Sequence, residues 1–146
     1  MKIYYNSKLA KTLTFLNGFA TMMFFGFIIT EHSSLSGKSQ KHEWCHVQQY
    51  KDCMGLGFGL CIVILFTLFA FNVRSWWLLT LTTIPFTLYY IIYLVEWLYW
   101  IIKEGISKAY RKVGFERQAY WIQETWNQPC SLQRQYETFG WWKRLY

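Results

Sequence analysis

Three long runs almost without charge dominate this chain. TLTFLNGFATMMFFGFIIT occupies positions 12–30, MGLGFGLCIVILFTLFAFNV occupies 54–73, and WWLLTLTTIPFTLYYIIYLVEWLYWII, whose one charged residue is Glu96, occupies 76–102. A helix needs about 20 apolar residues to cross a hydrocarbon core of roughly 30 Å, and each run is about that long or longer. The pattern predicts an all-α integral membrane protein with three transmembrane helices. A soluble bundle would have to bury all three with the little chain that remains, and is the poorer reading. Lys2, Lys8 and Lys11 precede the first run as they would in a signal peptide, but no small-x-small cleavage pattern follows it, so the run is expected to stay. Only Arg74 and Ser75 separate the second run from the third, which implies a tight antiparallel hairpin. Pro85 is expected to kink the third span, and Trp76, Trp77, Trp97 and Trp100 lie towards its ends, where an aromatic belt belongs.

With 146 residues the chain has length for a single domain, 1–146, and none for a catalytic module beside an anchor. Any site must stand on the spans or their flanks. A composition 53% hydrophobic, 22% aromatic and 16% charged suits a bilayer better than water. The net charge of +7 is what basic flanks of membrane helices produce, and no nucleic-acid-binding motif accompanies it. The expected partners are the lipid bilayer and a polypeptide substrate or membrane protein, not nucleic acid.

Three spans would place residues 31–53 and 103–146 on one side of the membrane. That side carries 11 of the 15 Lys and Arg residues, so the positive-inside rule makes it cytoplasmic, in an inner or plasma membrane. The three lysines before the first span pull the other way. Cys45, Cys53 and Cys61 are spaced by eight, about 12 Å along a helix, beyond disulfide reach, and there is no C-x-x-C pair. Reduced thiols are expected.

The chemistry lies in HEWCH, positions 42–46, within a predicted helix 40–53 that runs on into the second span. Spacing of i, i+4 puts His42 and His46 on one helical face, where both imidazoles can hold one metal ion such as Zn²⁺. Glu43, beside them, is the candidate general base for a metal-activated water. The rival reading makes these residues interfacial polar groups on the first turns of a long helix, with Trp44 as an aromatic anchor. A site of this class needs a third protein ligand and an open fourth position. In the tail, 105–146, the segment AYRKVGFERQAYWIQETW contains an apolar stripe, Phe115, Ala119 and Ile122, that predicts a C-terminal interfacial helix. Glu116 and Tyr120 share a face of it. Taken alone, Glu116 reads better as a solvated charge on a helix lying at the membrane surface.

The pair HEWCH and FERQAY resembles the gluzincin metallopeptidases, in which H-E-x-x-H is followed by a helix whose first glutamate completes the zinc site. It is similar also to small membrane proteins of Bacteroidota and their phages that combine a histidine motif, a span ending near Y-x-x-E-W, then A-Y-R and F-E-x-E-A-Y. Here the matching residues are Tyr93, Glu96 and Trp97, then Ala109, Tyr110 and Arg111, then Phe115, Glu116, Ala119 and Tyr120, over roughly residues 42–146. Gln118 departs from the second glutamate of that set, and Tyr120 from the aspartate of other gluzincins. The resemblance implies a zinc metallopeptidase with His42, His46 and Glu116 as ligands and Glu43 as base. Tyr120 is, from its spacing, a candidate donor to a developing oxyanion. Glu96 has two readings, either pointing inward to hydrogen-bond a ligand histidine or lying among headgroups at the span's end. A rival class is a non-enzymatic multi-pass membrane protein that binds a partner or perturbs the bilayer, with a structural or vestigial metal site.

Overall fold

A computed structural model describes residues 2–14 and 20–145. Its frame is a pair of long helices. Helix α2, Gly37–Ala70, opens at Ser36, whose side chain accepts the Ser39 amide at 3.1 Å and so satisfies one of the free N–H groups of the first turn. It runs unbroken for about 50 Å at 1.5 Å per residue. The motif segment, Gly37–Cys53, and the apolar stretch from Met54 onward are thus one rod, as the sequence suggested.

The chain reverses through Asn72, in the left-handed region at φ 58°, and returns as a 3-10 helix, Trp76–Thr83, followed by α3, Ile84–Glu104. Pro85 does not kink the third run. It stands in the first turn of α3, where its missing N–H breaks no helical bond, so the residue starts the α-helix where the 3-10 segment ends. Two helices, Gly37–Ala70 and Trp76–Glu104, are long and apolar enough to cross a membrane, and only 17% and 11% of their most apolar windows are buried. A core helix of a soluble protein would show the reverse. The two rods touch at Gly57, where a Cβ would stand 2.6 Å from Pro85 Cα, whereas Gly55 and Gly59 face open space. Gly57→Ala is therefore expected to lower thermal stability in detergent by about 1–3 kcal/mol through overpacking against backbone. Gly55→Ala and Gly59→Ala should be neutral or slightly stabilising, since alanine is the better helix former. Equal behaviour of the three variants would contradict the close crossing.

The first run departs from expectation. Helix α1, Lys8–Thr14, covers its start, residues 15–19 of the expected span lie outside the described residues, and residues 21–30 form a hairpin of strands β2, Thr21–Phe24, and β3, Phe27–Thr30. A parallel strand β1, Ile3–Tyr4, adds to β3, giving the order β1-β3-β2, so the chain is mostly helical but not all-α. The physical cause is local. Phe25 and Gly26 both adopt positive φ, 45° and 81°, as a two-residue turn between twisted strands requires, and Tyr90 accepts the Phe25 amide at 2.7 Å. The tail also differs from a single interfacial helix. Gly105, at φ 82°, ends α3, after which α4, Ile106–Lys112, packs back on α3 and α5, Gly114–Gln123, packs against α2.

The core forms where α2, α3, α5 and the small sheet converge. Met23, Ile28, Val47, Tyr50, Cys53, Tyr89, Val113, Phe115 and Trp141 make one buried cluster, with Phe115 wedged between Tyr89 at 4.7 Å and Trp141 at 4.4 Å. The last segment wraps over α5 and is tied to α2 at Asp52, whose Oδ2 accepts from the Tyr136 hydroxyl at 2.6 Å and the Phe139 amide at 2.9 Å. The apolar stripe Phe115, Ala119 and Ile122 is fully buried, Ala119 and Ile122 packing on Cys45. All four cysteines are free thiols.

Candidate metal centre

The i, i+4 spacing on α2 does what helical geometry requires, bringing His42 Nε2 and His46 Nε2 to 3.0 Å of each other. Helix α5 delivers Glu116 onto the same point, with Oε2 3.3 Å from His42 Nε2 and Oε1 3.3 Å from His46 Nε2. Glu116 is 2% exposed, which removes the reading of it as a solvated surface charge. Donor atoms around a tetrahedral ion with bonds of about 2.0–2.1 Å stand about 3.3 Å apart. The two imidazole nitrogens stand somewhat closer than that and Glu116 meets each of them through a different oxygen, and the buried group His42, His46 and Glu116 could hold a metal ion.

Charge supports the same conclusion. Four ionisable side chains, His42, Glu43, His46 and Glu116, are buried together. Burying two carboxylates is costly unless positive charge joins them, and two neutral imidazoles with one dication leave the cluster balanced. Burial tends to raise the Glu116 carboxyl, but the His46 charge and the bonds from both imidazoles outweigh it and hold the group well below the usual carboxylate range. Burial likewise tends to lower His46, and Glu116 raises it more, to about 9. Metal uptake here would therefore compete with a proton on His46.

The groups around the cluster orient its donors. Gln49 Nε2 donates to Phe115 O at 2.9 Å and to Gln118 Oε1 at 3.0 Å, which turns its own Oε1 towards His46 Nδ1 at 2.8 Å. His46 must then carry a proton on Nδ1, which makes Nε2 the nitrogen available to a metal. The Tyr89 hydroxyl stands 3.3 Å from the same Nδ1. Gln118, the departure from a glutamate, is anchored in turn by donating to Glu137 O at 2.9 Å. An amide pair thus does the orienting that a carboxylate often does. The Tyr93 hydroxyl donates to Glu116 Oε1 at 2.9 Å, and burial and the nearby Glu116 charge push the Tyr110 phenol upward.

Glu43 lies beside the cluster with Oε2 buried and without a hydrogen-bond partner among the described residues; burial raises its carboxyl pKa against the pull of His46 and His42. The Tyr120 ring packs 4.9 Å from the His42 ring, and the Arg111 guanidinium lies 5.7 Å from the Tyr120 ring centre. Glu96 meets neither expectation. Its Oε1 accepts the Gly114 amide at 2.6 Å, at the start of α5, so it neither bonds a histidine nor lies free among headgroups.

Of the residues singled out by sequence, His42, Glu43, His46, Glu116 and Tyr120 come together at one place, and Glu96 stands behind Glu116. Gln49, Tyr89 and Tyr93 were not assigned roles by motif reasoning. Gln49 was within reach of helical periodicity, lying three residues after His46 on the face that bears both histidines. No protein-family model matches the chain, nor does any curated protein or solved structure compared with it.

Proposed function

We propose that this chain is a small multi-pass membrane zinc metallopeptidase that hydrolyses peptide bonds at the bilayer surface. The observation that carries the reading is the buried convergence of two imidazoles and a carboxylate, 3.0–3.3 Å apart, inside a protein whose long helices leave their apolar faces uncovered. Nitrogen and oxygen donors in a three-ligand set favour zinc with an open fourth position. When bound, zinc would acidify a water and polarise the scissile carbonyl. Glu43 accepts the water's proton at its carboxylate and returns it to the departing amine. Tyr120, whose ring packs against that of His42, is the candidate to donate its hydroxyl to the oxygen that gains charge. Gln49 keeps His46 in the tautomer that leaves Nε2 free.

The two-rod hairpin sharpens the membrane orientation. If residues 12–30 do not cross, the N-terminal segment joins the motif and the tail on one side, and Arg74 at the hairpin tip becomes the single basic residue opposite the other 14. The lysines before the first run then agree with a cytoplasmic site instead of opposing it.

Treating the detergent-purified protein with a chelator is expected to abolish cleavage of a fluorescence-quenched peptide library presented in micelles, and adding back zinc to restore it. Purified protein that holds no zinc, or cleavage indifferent to the chelator, would overturn the proposal.

A further inference from the structure

Two side chains one helical turn apart join α3 to α5. Tyr93 and Glu96 share a face of α3, and both end on the helix that carries Glu116. Helix α5 lacks a cap of its own, because Val113 at the capping position makes no side-chain hydrogen bond. Glu96 takes over that task from another helix, accepting the Gly114 amide at 2.6 Å, where the dipole of α5 favours an anion. Glycine is required at 114 for this approach. A Cβ there would stand 2.8 Å from Trp141 O and 3.3 Å from Glu96 Oε1.

Glu116 follows only two residues later, in the first turn of α5, so the anchor at Gly114 decides where its carboxylate stands. Tyr93 then decides how the carboxylate turns. Its ring lies parallel to Phe115, 7° between planes and 6.1 Å between centres, and its hydroxyl occupies Glu116 Oε1. That leaves Oε2, buried, without a hydrogen-bond partner among the described residues and 3.3 Å from His42 Nε2.

We propose that Tyr93 and Glu96 are positioning residues that set Glu116 as a metal ligand: Glu96 fixes the start of α5, and Tyr93 holds Oε1 so that Oε2 is the oxygen offered to the ion. The inference rests on the metal site proposed above and not on turnover. It also gives the half-buried Glu96 carboxylate, costly on an apolar helix, a reason to be there.

The test uses the full chain in micelles. Zinc affinity is measured by competition with a chelating dye, Co²⁺ substitution gives the visible spectrum of the site, and thermal unfolding is recorded for wild type, Glu96→Ala, Glu96→Gln and Tyr93→Phe. Glu96→Ala should weaken zinc binding by about 10- to 100-fold, the range for lost groups that orient a ligand, and alter the Co²⁺ bands. Glu96→Gln keeps an acceptor oxygen and should recover most of the affinity. Tyr93→Phe should weaken binding by about 10-fold while its melting temperature stays near that of wild type. Wild-type affinity in Glu96→Ala, or an unchanged Co²⁺ spectrum in both Glu96→Ala and Tyr93→Phe, would overturn this inference alone. A wild-type protein that takes up neither metal would overturn the metal reading with it.

Discussion

Glu116→Ala is expected to leave the purified protein without bound zinc, and the wild type is expected to carry one ion per chain. The expectation follows from ligand counting. The two histidines of α2 supply two donors, and a site of this class needs three from the protein. Losing a group that only orients a ligand costs about 10- to 100-fold in affinity, so losing a ligand costs more than that. The substitution also removes the one acid that bridges both imidazoles, leaving His42 Nε2 and His46 Nε2 3.0 Å apart without an anion between them. Glu116→Gln separates the two causes. It keeps the shape of the side chain and an oxygen for Tyr93, so it should fold like wild type yet bind zinc much more weakly, since a neutral amide is a poor zinc ligand. Metal content by elemental analysis after size exclusion reads the result, and equal zinc in all three proteins would remove Glu116 from the site.

How far the sequence led depends on whether the signal was local or carried across the chain. The i, i+4 spacing of His42 and His46 is a property of one helix and was readable without a fold. So was the unbroken passage from HEWCH into the second run, since the intervening VQQYKDC contains no proline or glycine to stop a helix. The hairpin too was legible, because only two residues part the second and third runs. The first run misled because lack of charge says nothing about period. Its second half buries Met23 of β2 and three successive residues of β3, Ile28, Ile29 and Thr30, which is not the stripe of an amphipathic helix, and Phe25-Gly26 turns the chain where a spanning helix would continue. Even so, the expectation that the motif and the tail face each other is met, because Glu116 of the tail stands against His42 and His46.

What the sequence could not supply were partners distant in the chain. Nothing near Glu96 says that its acceptor duty lies 18 residues away at Gly114, and nothing near Gln118 says that it completes a chain through Gln49 to His46. Gln118 looked like the loss of a carboxylate. In the fold it is the means by which an amide pair orients a histidine, and its own position depends on Glu137 in a looped segment without a motif. Glu116 stands between these cases. Helical periodicity put it on a face with Tyr120 but left its burial open, and that was decided by the docking of α5 on α2.

Glu43→Gln is expected to have the opposite profile to Glu116→Ala: one zinc ion retained and hydrolysis lost. Glu43 is not one of the three converging donors, so its amide should leave metal content unchanged. The loss falls on proton transfer. A glutamine of the same shape cannot take a proton from water or give one to a departing amine, and a positioned general base contributes about 10²- to 10⁴-fold to rate. The environment suits that duty, since burial raises the Glu43 carboxyl pKa while His46 and His42 pull it back, leaving a group able to hold a proton for part of a cycle and release it. The decisive comparison is kcat on a peptide library for wild type and Glu43→Gln at matched zinc occupancy. A fall of at least about 10²-fold at equal zinc would make Glu43 the base. Hydrolysis within a few-fold of wild type would exclude that role, and zinc lost together with activity would make Glu43 a ligand instead.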